Sequence, residues 1–156
     1  MTTPSRNGTT VNQPPPIAAQ TRTRSESNEV KTPSTNELIS IAEAAGVRVT
    51  WHKGGPKGAW LPHERRISLR HGMDDASTRC TMAHELAHMW LGHPAPASDR
   101  QEMQADRFAA RLLVSPVEYA LAEQIYEARS QLIAAELGVT NEVLAVWRGM
   151  YEKRAV

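Results

Sequence analysis

The stretch "HELAHMWLGH", residues 84–93, places three of the chain's six histidines and a glutamate within ten positions. Most of it overlaps a segment, 80–91, that is apolar on nearly every side of a helix, and such a helix is normally buried. Gly92 provides a stop signal at its end, and Asp74 or Asp75 can cap its start. We therefore predict that a buried helix carries these histidines.

The patterns on both sides predict the remaining elements. Apolar and polar residues alternate, as in strands, in "VRVTWH" (47–52) and "RRISLR" (65–70), with turns around a short extended piece at 59–61. Helical spacing of apolar residues recurs at about residues 35–46, 98–115, 117–136 and 141–153. We predict the α+β class, with a small antiparallel sheet packed on the histidine-bearing helix and on the helix of residues 98–115, and a helical C-terminus.

The composition limits what the protein can be. Its 156 residues suit one domain, and a formal net charge of +1 provides no overall attraction to nucleic acid or to a membrane surface. The single cysteine, Cys80, excludes an internal disulfide framework. The lack of a long apolar run favours a cytoplasmic protein without a membrane partner. Residues 1–33 are rich in Thr, Ser, Asn and Pro, which predicts a disordered tail before a domain at residues 34–156.

The spacing His-Glu-x-x-His indicates the chemistry. On a helix of about 3.6 residues per turn, His84 and His88 project from one face a turn apart, so both can bind one zinc ion. Glu85 lies about 100° round the helix, where it can take a proton from a water molecule at the metal. In a chain of this length the spacing arises by chance in well under about 1% of cases. We predict one Zn²⁺ per chain, with Glu85 as the catalytic base.

A hydrolytic zinc site needs a third protein ligand and keeps its fourth position for water. Glu102 and Asp106 lie one turn apart on the predicted helix of residues 98–115, which we therefore predict to be the second metal-binding helix. We predict Glu102 as the third ligand and Asp106 as the group that accepts a hydrogen bond from one of the two histidines. His93 is the alternative ligand, but it follows His88 by five residues and lies beyond Gly92, which departs from the spacing of three-histidine zinc peptidases.

Taken together, the two helical motifs resemble the ImmA/IrrE-type metallopeptidases of mobile elements, phages and stress-response systems. "AHELAHMWLGH" is similar to the family's H-E-x-x-H helix, "EMQADRFAARLLVSP" to its second motif, and "RISLR" to the strand before the active-site helix. The resemblance covers about residues 36–151, and Gln104 stands where many relatives carry Glu. It implies a gluzincin-like zinc endopeptidase, with the two motif histidines and Glu102 as ligands and Glu85 as base. The implied substrate is a helix-turn-helix repressor or regulator protein.

Two other functions fit parts of the sequence. Residues 132–151 have the helix, turn and helix of a DNA-binding motif. The second helix offers only Arg148 near its middle and carries Glu142 at the end that would meet phosphates, so direct nucleic-acid binding is not favoured. The other alternative is a catalytically silent protein that binds a repressor without cutting it. The presence of Glu85 argues against such a loss of catalytic activity.

The strand before the active-site helix gives a prediction about substrate binding. If Arg66–Leu69 forms an exposed sheet edge, an extended substrate segment can add to it as a further strand. A folded repressor presents such a segment at a linker or a locally unfolded loop, so we predict cleavage at one specific exposed segment. The sequence does not identify the residue that stabilises the oxyanion, for which His71 and Tyr119 are candidates.

Overall fold

The computed structural model describes residues 31–152. No described helix is both long and apolar enough to span a membrane. The predicted disordered tail lies outside the described residues except at 31–33, where Arg79 donates hydrogen bonds to the Thr32 hydroxyl and the Pro33 carbonyl. The elements follow one another as α1 (Thr35–Ala44), β1 (Arg48–His52), β2 (Gly58–Leu61), β3 (Arg66–Arg70), α2 (Asp75–Trp90), α3 (Asp99–Leu113), α4 (Pro116–Tyr126), α5 (Ser130–Leu137) and α6 (Asn141–Glu152).

The sheet has its strands in the order β1-β3-β2, so the last strand in sequence lies in the middle. β3 runs parallel to β1, with Arg66 opposite Arg48, and antiparallel to β2, with Leu69 opposite Gly58. The α+β class is confirmed, but the sheet is mixed rather than antiparallel as predicted. The chain reverses direction into β2 and again into β3, so β3 regains the direction of β1 and inserts between the other two strands.

The prediction that Arg66–Leu69 forms an exposed edge is wrong. Ile67, Ser68 and Leu69 are at most 6% exposed, as expected for a central strand covered on both faces. A serine in a strand suggests a solvent-facing position, but His52 on β1 covers Ser68, and the His52 Nδ1 lies 2.6 Å from the Ser68 Oγ. Among the described strands, the edge beside α2 is β2, which is only four residues long.

The predicted buried helix is α2, which contacts α1, α3, β2 and β3. This environment explains why its sequence is apolar nearly all round, since every side meets another element. The Asp74 carboxylate caps it by accepting from the Ser77 N–H at 2.7 Å. Gly92, with φ 68°, follows its end and turns the chain back on itself. Packing on all sides therefore holds the side chains of α2 in fixed positions.

The second predicted metal-binding helix is α3, which lies against α2. Its start is fixed by a capping box, in which Ser98 and Gln101 exchange side-chain and backbone hydrogen bonds. The buried face of α3 consists of small and aliphatic side chains, which let the two helix axes approach closely: Ala105, Ala109, Ala110 and Leu113. This packing points the first turn of α3 toward the histidines of α2.

The C-terminal helices differ from the prediction in one respect. The single helix predicted over 117–136 is two helices, because α4 ends at Tyr126 and Glu127 adopts a positive φ of 55° before α5 begins. Apolar residues continue at helical spacing across this break, so the hydrophobic pattern does not reveal it. α6 then packs back on α3 and covers the outer side of that helix.

Candidate metal centre

Three potential metal ligands converge between α2 and α3. The His84 Nε2 lies 3.0 Å from the His88 Nε2 and 3.0 Å from the Glu102 Oε2, and the His88 Nε2 lies 3.2 Å from the same oxygen. Within the described part of the chain, these three residues form the group of ligand atoms close enough to share one metal ion. The structure thus brings together the three residues that the sequence predicted as ligands.

The outer nitrogens of both rings have their own partners. The His84 Nδ1 lies 3.0 Å from the Asp106 Oδ1, and the His88 Nδ1 lies 2.9 Å from the His93 Nδ1. An ionised carboxylate only accepts hydrogen bonds, so the proton of a neutral His84 belongs on Nδ1. Its Nε2 then directs a lone pair at the other two ligand atoms. Asp106, for which the sequence left the choice of histidine open, contacts His84.

The three donor atoms fit a zinc ion. Zinc in proteins lies about 2.0–2.2 Å from histidine nitrogen and carboxylate oxygen, so tetrahedral ligand atoms are about 3.3 Å apart. The observed separations of 3.0–3.2 Å are close to this spacing. Lone pairs facing one another at such distances repel unless a proton or a metal cation lies between them. Two histidines with one glutamate are also a known ligand set of catalytic zinc sites.

His88 is the more enclosed of the two histidines, at 5% exposure. Burial, followed by the nearby positive charge that His84 can carry, lowers the pKa of His88. The neutral imidazole that results is the form that binds a metal. The Glu102 side chain is 48% exposed, so the cluster is open toward solvent on the side of α3. A substrate can approach from that side.

Glu85 lies beside the cluster on α2 and is 7% exposed. Burial raises its pKa to about 7, while His84 opposes the shift. The Trp60 backbone N–H of β2 donates a hydrogen bond to this carboxylate and so ties it to the sheet edge. A carboxylate whose pKa lies near neutrality can accept and return a proton under the same conditions, as a general base requires.

Gly58 on β2 gives Glu85 the room it occupies. A Cβ at position 58 would lie 2.5 Å from the Thr81 Cγ2 and 3.0 Å from both the Cγ and the Oε1 of Glu85. A real Cβ essentially never approaches another heavy atom as closely as 2.5 Å, so a side chain here displaces its neighbours. The role of Gly58 is not predictable from the sequence, because one glycine among several in a turn-rich segment carries no signal of its own.

Gly58→Ala is expected to retain zinc but to lower kcat/KM by about 10- to 100-fold, because a displacement of about 1 Å at a catalytic group costs that much. Zinc content and turnover of an extended peptide are the measurements. Gly149→Ala on α6 is the matched control, since its added Cβ meets nothing within 4 Å. Equal turnover by the two variants would show that the close contact with Glu85 has no catalytic consequence.

Two cavities flank the cluster along β2 and share Gly58, His84 and Glu85 in their walls, and together they are called the cleft. One, of about 310 Å³, lies toward α6 and includes Cys80, Thr81 and Val143 as well as Glu85. The other, of about 400 Å³, lies toward the 94–97 loop and includes Ala59, Trp60 and His88. A larger groove of about 540 Å³ between α3 and α6 contains none of the three predicted ligands. The chemistry therefore locates the site in the cleft, not in the larger groove.

The other candidate residues lie elsewhere. His71 stacks on Trp51 at the end of β1, and the Tyr119 hydroxyl accepts a hydrogen bond from Arg148. Neither lines the two cavities of the cleft, so neither is placed to stabilise an oxyanion there. Cys80 is buried, and its Sγ accepts from the Thr140 N–H at 3.4 Å, so it serves as a core residue at the wall of the cleft.

The sequence model of the Peptidase_M78 family, described as an IrrE N-terminal-like domain, matches residues 42–146, which include both helices of the cluster. The chain belongs to this family. The resemblance to ImmA/IrrE-type metallopeptidases is therefore confirmed. Membership in Peptidase_M78 supports a zinc-dependent, peptidase-like role in general.

A solved structure supports the same fold. A Mycobacterium tuberculosis transcriptional regulator is similar to this chain with a TM-score of 0.54 and 16% sequence identity. The similarity covers 74% of this chain and 41% of the regulator, so the chain spans less than half of that protein's length. At this identity the similarity shows a shared fold. No curated protein matches the sequence significantly.

Proposed function

We propose that the protein is a zinc-dependent endopeptidase that cuts a helix-turn-helix repressor or regulator protein at one exposed, extended segment. The observation that carries this proposal is the convergence of His84, His88 and Glu102 next to a buried Glu85 at the free edge of β2. Family membership supports the peptidase class, and the choice of a regulator as substrate rests on the resemblance to ImmA/IrrE-type enzymes.

The chain's residues have separate tasks in this proposal. His84, His88 and Glu102 hold the metal, and zinc, when bound, supplies Lewis acidity toward the peptide carbonyl and the attacking water. Glu85 takes a proton from that water and delivers it to the leaving amine, which are the two transfers required of a general base and acid. The hydrogen bond from the Trp60 N–H keeps the carboxylate aimed along the sheet edge during both steps.

The backbone of β2 supports the binding of an extended substrate. The Arg70 N–H donates to the Lys57 carbonyl at 2.8 Å, and in an antiparallel ladder the bonded pairs alternate. Ala59 therefore faces β3, whereas the backbone groups of Gly58 and the Trp60 carbonyl are available at the free edge, where the Trp60 N–H is bound to Glu85. A substrate segment that adds to this edge would pass the cluster and place side chains in the two flanking cavities. This assignment moves the proposed substrate strand from Arg66–Leu69 to β2.

Binding through a strand makes cleavage selective for conformation. A peptide bond within a helix or a sheet cannot pair with β2, so a folded regulator is cut only where a linker or loop is extended. We therefore propose limited proteolysis at a specific site, which inactivates a regulator without digesting it.

Direct DNA binding has less support in the structure. The candidate recognition helix, α6, packs against α3 instead of standing free. Its Arg148 donates to the Tyr119 hydroxyl at 3.0 Å and to the Ser130 Oγ at 2.5 Å, so its guanidinium is engaged within the protein. Contacts of this kind suit a helical unit that completes the metallopeptidase domain at residues 34–156.

The proposal is tested by mixing the zinc-loaded protein with candidate helix-turn-helix regulators and, separately, with casein. Fragments are mapped by mass spectrometry, and the Glu85→Gln variant is the control for contaminating proteases. We expect one or two cuts in a linker of one regulator and slow digestion of casein. Many cuts in casein with every regulator intact would contradict the regulatory role. A regulator bound tightly but cut by neither form would favour the catalytically silent alternative.

A further inference from the structure

A row of three polar side chains, His88, His93 and Gln104, runs from the metal cluster through the buried His93 to the exposed Gln104 on α3. The His88 Nδ1 lies 2.9 Å from the His93 Nδ1, and the His93 Nε2 lies 3.0 Å from the Gln104 Oε1. His93 is 6% exposed, so water does not replace these partners. The His93 N–H also donates to the His88 carbonyl at 2.9 Å, in the turn that Gly92 makes after α2. Both ring and backbone thus hold His93 against His88.

The proton positions in this row are determined once His88 binds a metal. A metal takes the lone pair of the His88 Nε2, so the proton of that neutral ring must be on Nδ1. The His93 Nδ1 must then accept this proton's hydrogen bond and cannot carry a proton itself. The proton of His93 is left on Nε2, from which it is donated to the Gln104 amide oxygen. Each donor in the row meets one acceptor.

We propose that His93 and Gln104 are positioning residues that fix the ring orientation and tautomer of His88 for the metal. This inference rests on the proposed function, because it assumes that the cluster binds zinc. It also explains why His93 is not the third ligand, since its Nδ1 faces the outer nitrogen of His88 and not the cluster. Gln104 is suited to the role because its amide oxygen accepts without adding a charge.

The two motif histidines are thereby held in different ways. His84 is oriented by a carboxylate on α3, whereas His88 is oriented by a neutral ring that is itself held from α3. Glu102, Gln104 and Asp106 lie on that same helix, one turn or less apart. The first turns of α3 therefore supply a ligand and the outer support of both histidines. A ligand partner of this kind is typically worth 10- to 100-fold in metal affinity.

The test is a zinc affinity measured by competition with a chromophoric chelator. His93→Phe keeps an aromatic ring but removes the acceptor, and we expect it to bind zinc about 10- to 100-fold more weakly. His93→Asn places an amide oxygen near the position of the ring Nδ1 and is expected to restore most of the affinity. His63→Phe, an exposed histidine on the turn after β2, is the matched control and should bind zinc like the wild type.

A second measurement on the wild type does not depend on whether the variants fold. Nitrogen-15 spectra of the histidine rings in the zinc-loaded protein should show His88 protonated on Nδ1 and His93 protonated on Nε2. The opposite tautomer of His93, or equal zinc affinity in His93→Phe and His63→Phe, would overturn the positioning role while leaving the zinc site intact. A wild type that binds no zinc would overturn this inference and the proposed function together.

Discussion

Glu85→Gln should retain the zinc of the wild type and lose at least about 100-fold in turnover, the lower end of the effect of a general base. The amide has nearly the shape of the carboxylate and can still accept from the Trp60 N–H, so the sheet edge and the cleft stay in place. It cannot take a proton from water. Zinc content is measured by metal analysis, and turnover is measured on the regulator or peptide that the wild type cuts.

Glu43→Gln makes the same chemical change on α1 at an exposed position outside the cleft, and it should leave turnover unchanged. Cleavage by Glu85→Gln at the rate of Glu43→Gln would remove Glu85 from the mechanism. Loss of zinc along with activity would instead show that Glu85 supports the cluster, and the activity measurement would then say nothing about a base.

The same variant should be more stable than the wild type when the metal is removed at high pH. The folded protein keeps the Glu85 proton up to about pH 7, whereas the unfolded chain releases it near the ordinary value of 4.5. The wild type therefore loses stability as the pH rises between these values, and Gln, which has no proton to lose, does not. The difference in the free energy of unfolding should grow to about 3 kcal/mol above pH 7 and vanish below pH 4.5, as measured by urea denaturation with a chelator present.

Glu102→Ala should weaken zinc binding by more than about 100-fold, which exceeds the usual effect of losing a hydrogen-bond partner behind a ligand. The Glu102 Oε2 is the oxygen that approaches both histidines. Among the described residues, no other carboxylate lies close enough to both histidines to share a metal ion with them. Without it, two neutral imidazoles remain. The loss of zinc affinity should be larger than in His93→Phe, because removing a ligand costs more affinity than removing the hydrogen-bond partner that orients a ligand.

Asp99→Ala is the matched control for that variant. It removes an exposed carboxylate three residues earlier on the same helix, outside the cluster. Chelator competition on both variants and on the wild type gives the three affinities. If Glu102→Ala binds zinc as tightly as Asp99→Ala does, the third ligand is a different residue and the assignment of the cluster fails.

The residues of the candidate site were largely predictable from the sequence, because they lie on two helices whose geometry is regular. The spacing of His84 and His88 determines their common face, and the spacing of Glu102 and Asp106 does the same on α3. The contact between the two helices was a further assumption, which the packing of α3 on α2 satisfies. The roles of these residues remain predictions until metal and turnover are measured.

The features that were missed depend on contacts between segments with no shared periodicity. The central strand of the sheet is the one that is covered on both faces. Ser68 makes β3 look half-exposed in the sequence, because a buried serine cannot be distinguished from an exposed one. Gly58 matters only through its distance to Glu85, and the partner of His93 is known only once the turn after α2 and the start of α3 are in place. Local patterns contain none of these distances.

The shortness of β2 has a consequence for the protein's solubility. An open sheet edge pairs with any extended chain, including the same edge of a second molecule, and long flat edges promote aggregation. β2 has four residues and lies between Pro56 and Pro62, neither of which has an N–H to extend a ladder. Four residues can pair with the short extended substrate proposed above, but they offer few hydrogen bonds to the same edge of a second molecule. The cleft can therefore stay open in concentrated solution without joining molecules edge to edge.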